Sequence, residues 1–572
     1  GNGNQYAPRR NPDGSNYGRG PQSWDAEITA VGAGTPCGEF MRRYWHPIAV
    51  ADKVGKRPQN VRVLATAIEQ YLRLDPVLVV GVIGDEIIVG DAPIARGEDH
   101  LGHAPRLIRR RSCMRDVVVI GGGIAGLASA WRLRNRDIVV LESEQRVGGR
   151  IRSERRGEYW LNWGAHVYAG GGSSTDWLLN STGVDVAPIT GVLTALAMNG
   201  KLLTGGRIET YPFRIPMSNK ARFDLIRATV KVSTAVARYA KLVQQRPGES
   251  PAARQQRIYN FMNEQSFAEF IGPLTKDAEA FFKPTVTRSA ADLDEISAGA
   301  GVGYFSLVWG IGGGLTNGIL GGPATLTESI AGALGDRVFL RSTVHEVEQR
   351  RDSVIVRYER DGTASEIEAR YAVLATPATV ASRVAVNLDP DIKAALSKVI
   401  YGPYVSAAFL TNETSPQVWD GTYSIATPNR SFNIILNQAS LIRARESHRK
   451  PGGSIMTFSP ASIARALLEK SDDEIRDTYI ADLDAVLPGF ASHVAEAHVQ
   501  RWYTGAPYCF PGRAKLQPVL TRRDGRIQLA GDYLGTLYTE TAIATGLMAA
   551  QEVQSRLGSD CQSLDHSFSY RH

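Results

Sequence analysis

Residues 117–126 read Val-Val-Val-Ile-Gly-Gly-Gly-Ile-Ala-Gly. A β-branched apolar run that passes straight into glycines predicts the first strand and turn of a doubly wound α/β domain. The spacing is Gly121-x-Gly123-x-x-Gly126. Gly121 permits the tight turn, Gly123 lets backbone approach a pyrophosphate, and Gly126 lets helix and strand pack closely. Ile124 and Ala125 lead into a helix expected over 125–134, whose first N–H groups and positive dipole end suit phosphate. A second strand is expected at Ile138–Leu141. It ends at Glu142, roughly twenty residues beyond Gly121, where a carboxylate accepts from a ribose diol. Ser143 follows in the same turn. Strand, glycine turn, helix and acid in this order predict a dinucleotide site.

Outward from this stretch the pieces of that domain are scattered. Residues 338–358 and 372–376 look extended, as do 404–410 and 454–458, and a last strand at 526–530 precedes a helix over 541–557. Residues 218–245 read as a helix with a basic outer face and Leu225, Ile226, Val230, Val232 and Val236 within. A second helical block runs over 266–282. We expect a dinucleotide domain built from 114–165, 320–380 and 525–557. A substrate domain built from 166–319 and 381–524 would lie between those pieces, and 558–572 would be a C-terminal tail.

The chain has 572 residues with 43% hydrophobic and 22% charged, values that exclude disordered and collagen-like classes. The net charge of +7 is the balance of 65 basic and 58 acidic residues. It is spread too thinly to predict nucleic-acid binding. The four cysteines, Cys37, Cys113, Cys509 and Cys561, have no C-x-x-C spacing. That argues against a disulfide scaffold or four-cysteine zinc site and fits a reducing, cytoplasmic location. No apolar run reaches spanning length, so no transmembrane segment is expected. No metal site and no Ser-His-Asp set is evident.

Beyond Glu142 come Arg146-Val147-Gly148-Gly149-Arg150. Here the sequence resembles the flavin-containing amine oxidase superfamily, which includes protoporphyrinogen oxidases, monoamine and polyamine oxidases and carotenoid desaturases. The resemblance spans 114–557. It implies a discontinuous Rossmann-like FAD-binding domain with an α+β substrate domain, and FAD as cofactor. Arg146 and Arg150 would sit near ribose and pyrophosphate, with the Gly148–Gly149 backbone passing the flavin. Asn162-Trp163-Gly164-Ala165-His166 is similar to a D-x-G-A-H segment near the isoalloxazine, with Asn162 in place of the usual acid. Thr343-Val344 would meet the adenine, and Ala375-Thr376-Pro377 would close the domain. In Leu529-Ala530-Gly531-Asp532 the acid would hold a ribityl hydroxyl. The helix after it would aim the Thr541 and Ala542 N–H groups at the flavin, where the dipole favours the reduced ring.

The same resemblance implies an aromatic cage on the substrate side. Tyr538 falls at one wall, and the other is expected from Trp502–Phe510, with Tyr508 preferred and Trp502 a candidate. His166 is the histidine near the expected flavin, as a base or as a hydrogen-bonding residue. A lysine that many amine oxidases carry is missing from Tyr404–Phe409. That absence, with Leu293–Ala298, points toward the protoporphyrinogen-oxidase-like and desaturase-like branches. Cys509 does not fall where the family's covalent flavin cysteine lies, so non-covalent FAD is expected.

Residues 1–24 read as a flexible tail. Gly34–Gly38 and Tyr44–Val50 resemble the opening of Rieske-type oxygenases, without the Cys-His pairs that hold a cluster. Residues 25–113 are therefore expected to be a small β-rich remnant plus linker, free of metal, that packs on the flavoprotein, a second copy or a partner subunit. The leading function is an FAD-dependent oxidase or dehydrogenase that removes hydride from a C–N or C–C bond of a largely apolar small molecule. O2 or another acceptor would then take the electrons. The alternatives are a non-redox flavoprotein of the sugar-nucleotide mutase type, a carotenoid-desaturase-like dehydrogenase, and a binding module in which FAD is structural.

Overall fold

The computed structural model describes residues 79–83, 86–90 and 114–568, except 167, 170, 309–314, 444 and 537. The chain divides into two compact units, Gly1–Arg109 and Arg110–His572. In the first, Val79–Ile83 and Glu86–Gly90 pair as an antiparallel hairpin. The Rieske-like stretches lie outside the described residues.

In the second unit one sheet collects strands from three separated parts of the chain. Its order is Val338–Phe339, Ile138–Leu141, Arg115–Ile120, Thr363–Leu374, Val354–Arg360 and Ser342–Gln349. Ile527–Leu529 pairs in parallel with the end of Thr363–Leu374, which also runs parallel to Arg115–Ile120. Both faces of the first strand are covered, which is why its apolar run is continuous. Val117 and Val119 face Leu127, Ala128, Ile543 and Val553. Val118 and Ile120 face Ala378, Ala381 and Leu396 on the other side. The covering helices on the first face are Ile124–Arg132 and Tyr538–Phe568.

A second sheet has seven strands, in the order Lys201–Leu203, Ala195–Met198, Ser424–Ala426, Ile434–Asn437, Gly453–Pro460, Tyr401–Thr411 and Val494–Pro507. Beside it, helices Asn219–Leu242, Phe267–Ile271, Lys276–Val286 and Ala298–Val308 enclose Leu225, Val232, Phe267, Phe282 and Phe305. The helical block expected over 266–282 is two helices. Gly272 (φ +77°) ends the first, and the following Pro273 cannot continue it. Ile226 and Val230, expected inside, are 39% and 62% exposed. The inner face of that helix is already filled by Leu225, Ala228, Val232 and Val236.

Candidate active site and cofactor cradle

The glycine turn has the geometry its spacing predicts. Gly121 sits at φ +102°, and a Cβ there would stand 2.7 Å from the Ala375 carbonyl oxygen. Its N–H donates to the Leu141 carbonyl, and the Ala375 N–H donates to Ile120, so the turn is pinned between two strand ends. Gly126 packs so closely that a Cβ would fall 1.9 Å from the Gly121 carbonyl oxygen. Gly123 is the N-cap of Ile124–Arg132, and among the described residues no side chain caps that helix. A Cβ on Gly123 would meet nothing within 4 Å. Uncapped N–H groups at Ile124, Ala125 and Gly126 thus face open space beside a bare backbone, the arrangement an anionic group fits.

Glu142 is buried at the end of its strand and accepts from the Gly122 N–H at 2.6 Å and the Glu144 N–H at 2.9 Å. The Ser143 hydroxyl donates, at 3.2 Å, to the same oxygen as the Glu144 N–H. Arg146 donates to the carbonyls of Val147, Ile151 and Gly149. It therefore shapes the loop, and burial with neighbouring Arg152 lowers its pKa. Gly148 (φ +104°) donates to the Gly122 carbonyl at 2.8 Å, so the two glycine turns are stitched together, and Gly149 (φ +55°) follows it.

Arg150 makes a bidentate pair with Asp532, at 2.6 and 2.9 Å, and donates to the Gly505 carbonyl at 3.1 Å. Burial disfavours the Arg150 charge, but the Asp532 carboxylate outweighs it and raises the pKa. This clamp joins the glycine-rich loop, the last strand of the second sheet and the end of Ile527–Leu529. Gly531 holds the turn before Asp532, and its N–H donates to the Thr545 hydroxyl at 3.0 Å. Thr541 and Ala542 are buried in the first turns of Tyr538–Phe568. Val344 lies at the edge of the first sheet, beside a register shift before Glu346.

A narrow cleft is lined by Ser289, Tyr304, Tyr508, Cys509, Asp532 and Thr536. It adjoins a second narrow space that reaches Tyr239, Tyr259 and Ser297. The Ser297 N–H donates to the Cys509 carbonyl at 2.7 Å, which fixes the Tyr508–Cys509 loop to the helical lobe. Burial pushes the Cys509 thiol up and the Tyr239 hydroxyl to about 12. Of the cage candidates, Tyr508 lines the cleft, whereas the Tyr538 side chain lies outside the described residues. Trp502 lies in the sheet, and its indole N–H donates to the Trp163 carbonyl and the Ser406 hydroxyl, each at 3.1 Å. Ser406 stands buried in the strand that lacks lysine and donates to the Trp163 carbonyl at 2.8 Å. Gly164 and Ala165 form a turn on Arg150, where a Gly164 Cβ would fall 2.1 Å from the Arg150 carbonyl oxygen. His166 Nδ1 is 3.3 Å from the Gly164 carbonyl. Burial, then the Arg288 charge, lower its pKa to about 4, so it is neutral at pH 7.

A family model for flavin-containing amine oxidoreductases matches residues 124–554. The chain belongs to that family. Flavin-containing amine oxidase A of Bos taurus is 28% identical over 498 residues, covering 78% of this chain and 86% of the relative. Amine oxidase B of Sus scrofa is 25% identical over 485 residues, covering 77% and 86%. Among solved structures, putrescine oxidase bound to putrescine superposes with a TM-score of 0.62 at 19% identity, over 77% of this chain and 99% of that one. Cyclohexylamine oxidase from Brevibacterium oxydans gives the same score at 18% identity, over 78% and 100%. These structural likenesses establish the shared fold.

As a flavin-containing amine oxidoreductase the chain is an FAD enzyme, and its residues fit that group. The uncapped helix start, the space before Gly123 and the buried Glu142 carboxylate lie together. Beside the turn, the buried Thr376 hydroxyl has no hydrogen-bond partner among the described residues. The absent lysine, which pointed toward protoporphyrinogen oxidases and desaturases, does not remove the chain from the amine oxidases. Sequence reading missed Tyr239, Tyr259, Ser289 and Tyr304, because only the packing of distant helices brings them to the cleft. It also missed that Arg150 and Asp532 are partners.

Proposed function

We propose that this flavin-containing amine oxidoreductase oxidises the C–N bond of a small, largely apolar amine to an imine. The carrying observation is the cleft that runs from Asp532 and Thr536 between Tyr508 and Tyr304 into the helical lobe. When bound, FAD supplies the two-electron acceptor for the hydride leaving the carbon next to nitrogen. The residues proposed to hold FAD are Gly121, Gly123, Ile124, Ala125, Gly126, Glu142, Ser143, Arg146 and the Gly148–Arg150 loop, with Gly164, Ala165, His166, Val344, Ala375, Gly531, Asp532, Thr541 and Ala542. Tyr508 and Tyr538 would orient the amine nitrogen, and O2 or another acceptor would take up the electrons.

Among the described lining residues the carboxylate is Asp532, which is held in the bidentate pair with Arg150. The Cys509 and Tyr239 protons are held by burial. With that carboxylate engaged by its arginine, the amine is expected to react in its uncharged form, and hydride departure depends on its being held in place. Among the described residues the cleft lining contains no pair of arginines, which speaks against a sugar-nucleotide mutase. Residues 25–113 belong to this reading as a metal-free contact surface for a second copy or a partner subunit, in a cytoplasmic setting.

Anaerobic mixing with a panel of amines tests the proposal. Flavin absorbance should bleach with apolar amines, and the rate should climb with pH as the substrate amine loses its proton. Acid denaturation should then release intact FAD, since Leu537 rather than a cysteine precedes Tyr538. Bleaching by alkanes or carotenoids but by no amine would overturn the reading.

A further inference from the structure

The helix Asn219–Leu242 has two apolar faces. Leu225, Val232 and Val236 turn inward and are fully buried. Phe223, Ile226 and Val230 fall within about 60° of one another on the outer side at 3.6 residues per turn. They are 69%, 39% and 62% exposed, and Phe213 on the adjoining turn Tyr211–Arg214 is 66% exposed. Lys220, Arg227, Lys231 and Arg238 form a second stripe, spread over about 40°, directly beside the apolar one. The helix holds a single acid, Asp224. Its carboxylate accepts from the Thr275 N–H at 3.0 Å and reaches Arg227 at 3.9 Å. Lys231 lies 5.0 Å over the Phe270 ring and Arg227 donates to the Pro273 carbonyl, contacts that leave both charges in place.

We propose that this face docks the protein peripherally on an anionic lipid bilayer. An outward apolar stripe holding Phe223, extended by Phe213 on the adjoining turn and flanked by cations on a helix about 36 Å long, has the composition of an interfacial helix. Such a helix lies in the plane of the headgroups. A second copy of the same face would set cations against cations, which disfavours self-association. No helix among the described residues is long and apolar enough to cross a membrane, so the contact is a surface one. For an enzyme of apolar amines, it would bring the molecule to the phase where such substrates concentrate.

The test is flotation of the full-length, FAD-loaded protein with vesicles of phosphatidylcholine alone or with about a third phosphatidylserine. Binding is expected to the anionic vesicles and to fade as salt rises past the range where the Debye length is about 10 Å. Lys220→Glu/Lys231→Glu should lower partitioning at least about tenfold, and Phe213→Ser/Phe223→Ser should lower it comparably, both with FAD content unchanged. Hydrogen exchange on the wild-type protein should show residues 211–232 protected by anionic vesicles. That readout stands even where a variant folds poorly. Absence of binding to anionic vesicles, binding indifferent to salt and to both variants, or protection at another surface would overturn the proposal. So would a face that proves covered in solution by residues 1–109 or by another protein.

Discussion

A side chain added at Gly123 would enter open space, whereas at Gly126 it would stand 1.9 Å from the Gly121 carbonyl oxygen. Gly123→Val is therefore expected to fold with near-wild-type stability but purify without FAD. Gly126→Ala is expected to lose stability by about 1–3 kcal/mol through overpacking. Thermal melting of the two apoproteins, set beside their flavin content, checks this contrast. Tyr538→Ala should slow anaerobic flavin reduction about ten- to a hundredfold, equivalent to about 1–3 kcal/mol. Tyr538→Phe should be much milder, because the ring face matters more than the hydroxyl. A wild-type rate per bound FAD in the alanine variant would remove Tyr538 from the cage. Each glycine's role is legible from its place between strand and helix, because a turn is a local matter. The Arg150–Asp532 pair is not, since 382 positions separate its members and each reads by itself as a cofactor ligand.

Glu540 shows how one element holds another. From the first turn of Tyr538–Phe568 its carboxylate accepts from the N–H groups of Ser174 and Thr175, at 2.8 and 2.9 Å, and from the Thr175 hydroxyl at 2.6 Å. It thereby caps the helix Ser174–Thr182 from outside, alongside that helix's own cap, Ser173. Glu540→Ala should cost about 2 kcal/mol, and Glu540→Gln about half of that, in denaturant unfolding. The reduction rate per bound FAD should fall far less than in Tyr538→Ala. Element type and order follow from the sequence wherever the period is clean, as in 115–141. Faces are harder to read, and Ile226 and Val230 show why. Their spacing suits a buried stripe, but the opposite side of the same helix supplies enough small and aliphatic residues to fill the lobe by itself.

Across the whole molecule, titration of His166 links solvent to fold. Its pKa is about 4 in the folded chain against an ordinary value of 6.5. Between those values the unfolded chain binds a proton that the folded chain does not. Stability should therefore fall as pH drops from about 6.5 toward about 4, and His166→Gln should flatten that part of the curve. Melting temperatures of the two proteins across the window decide the matter. At this scale the central parallel strands were readable, because Arg115–Ile120 and Ile138–Leu141 are largely apolar and β-branched, whereas Ser342–Gln349 alternates with charged residues. The lining of the cleft was not, because it depends on how helices from 239 to 304 settle against residues 508–536. The joining of Arg115–Ile120 and Ile527–Leu529 through Thr363–Leu374 also bears on how the protein is made. During synthesis the opening glycine turn leaves the ribosome more than 400 residues ahead of the segment that carries Asp532. At about 5–20 residues per second, the nascent chain waits tens of seconds with half a cradle. For that interval the edge of Thr363–Leu374 stays without Ile527–Leu529, and the cradle can close on its cofactor only after the Asp532 segment has emerged.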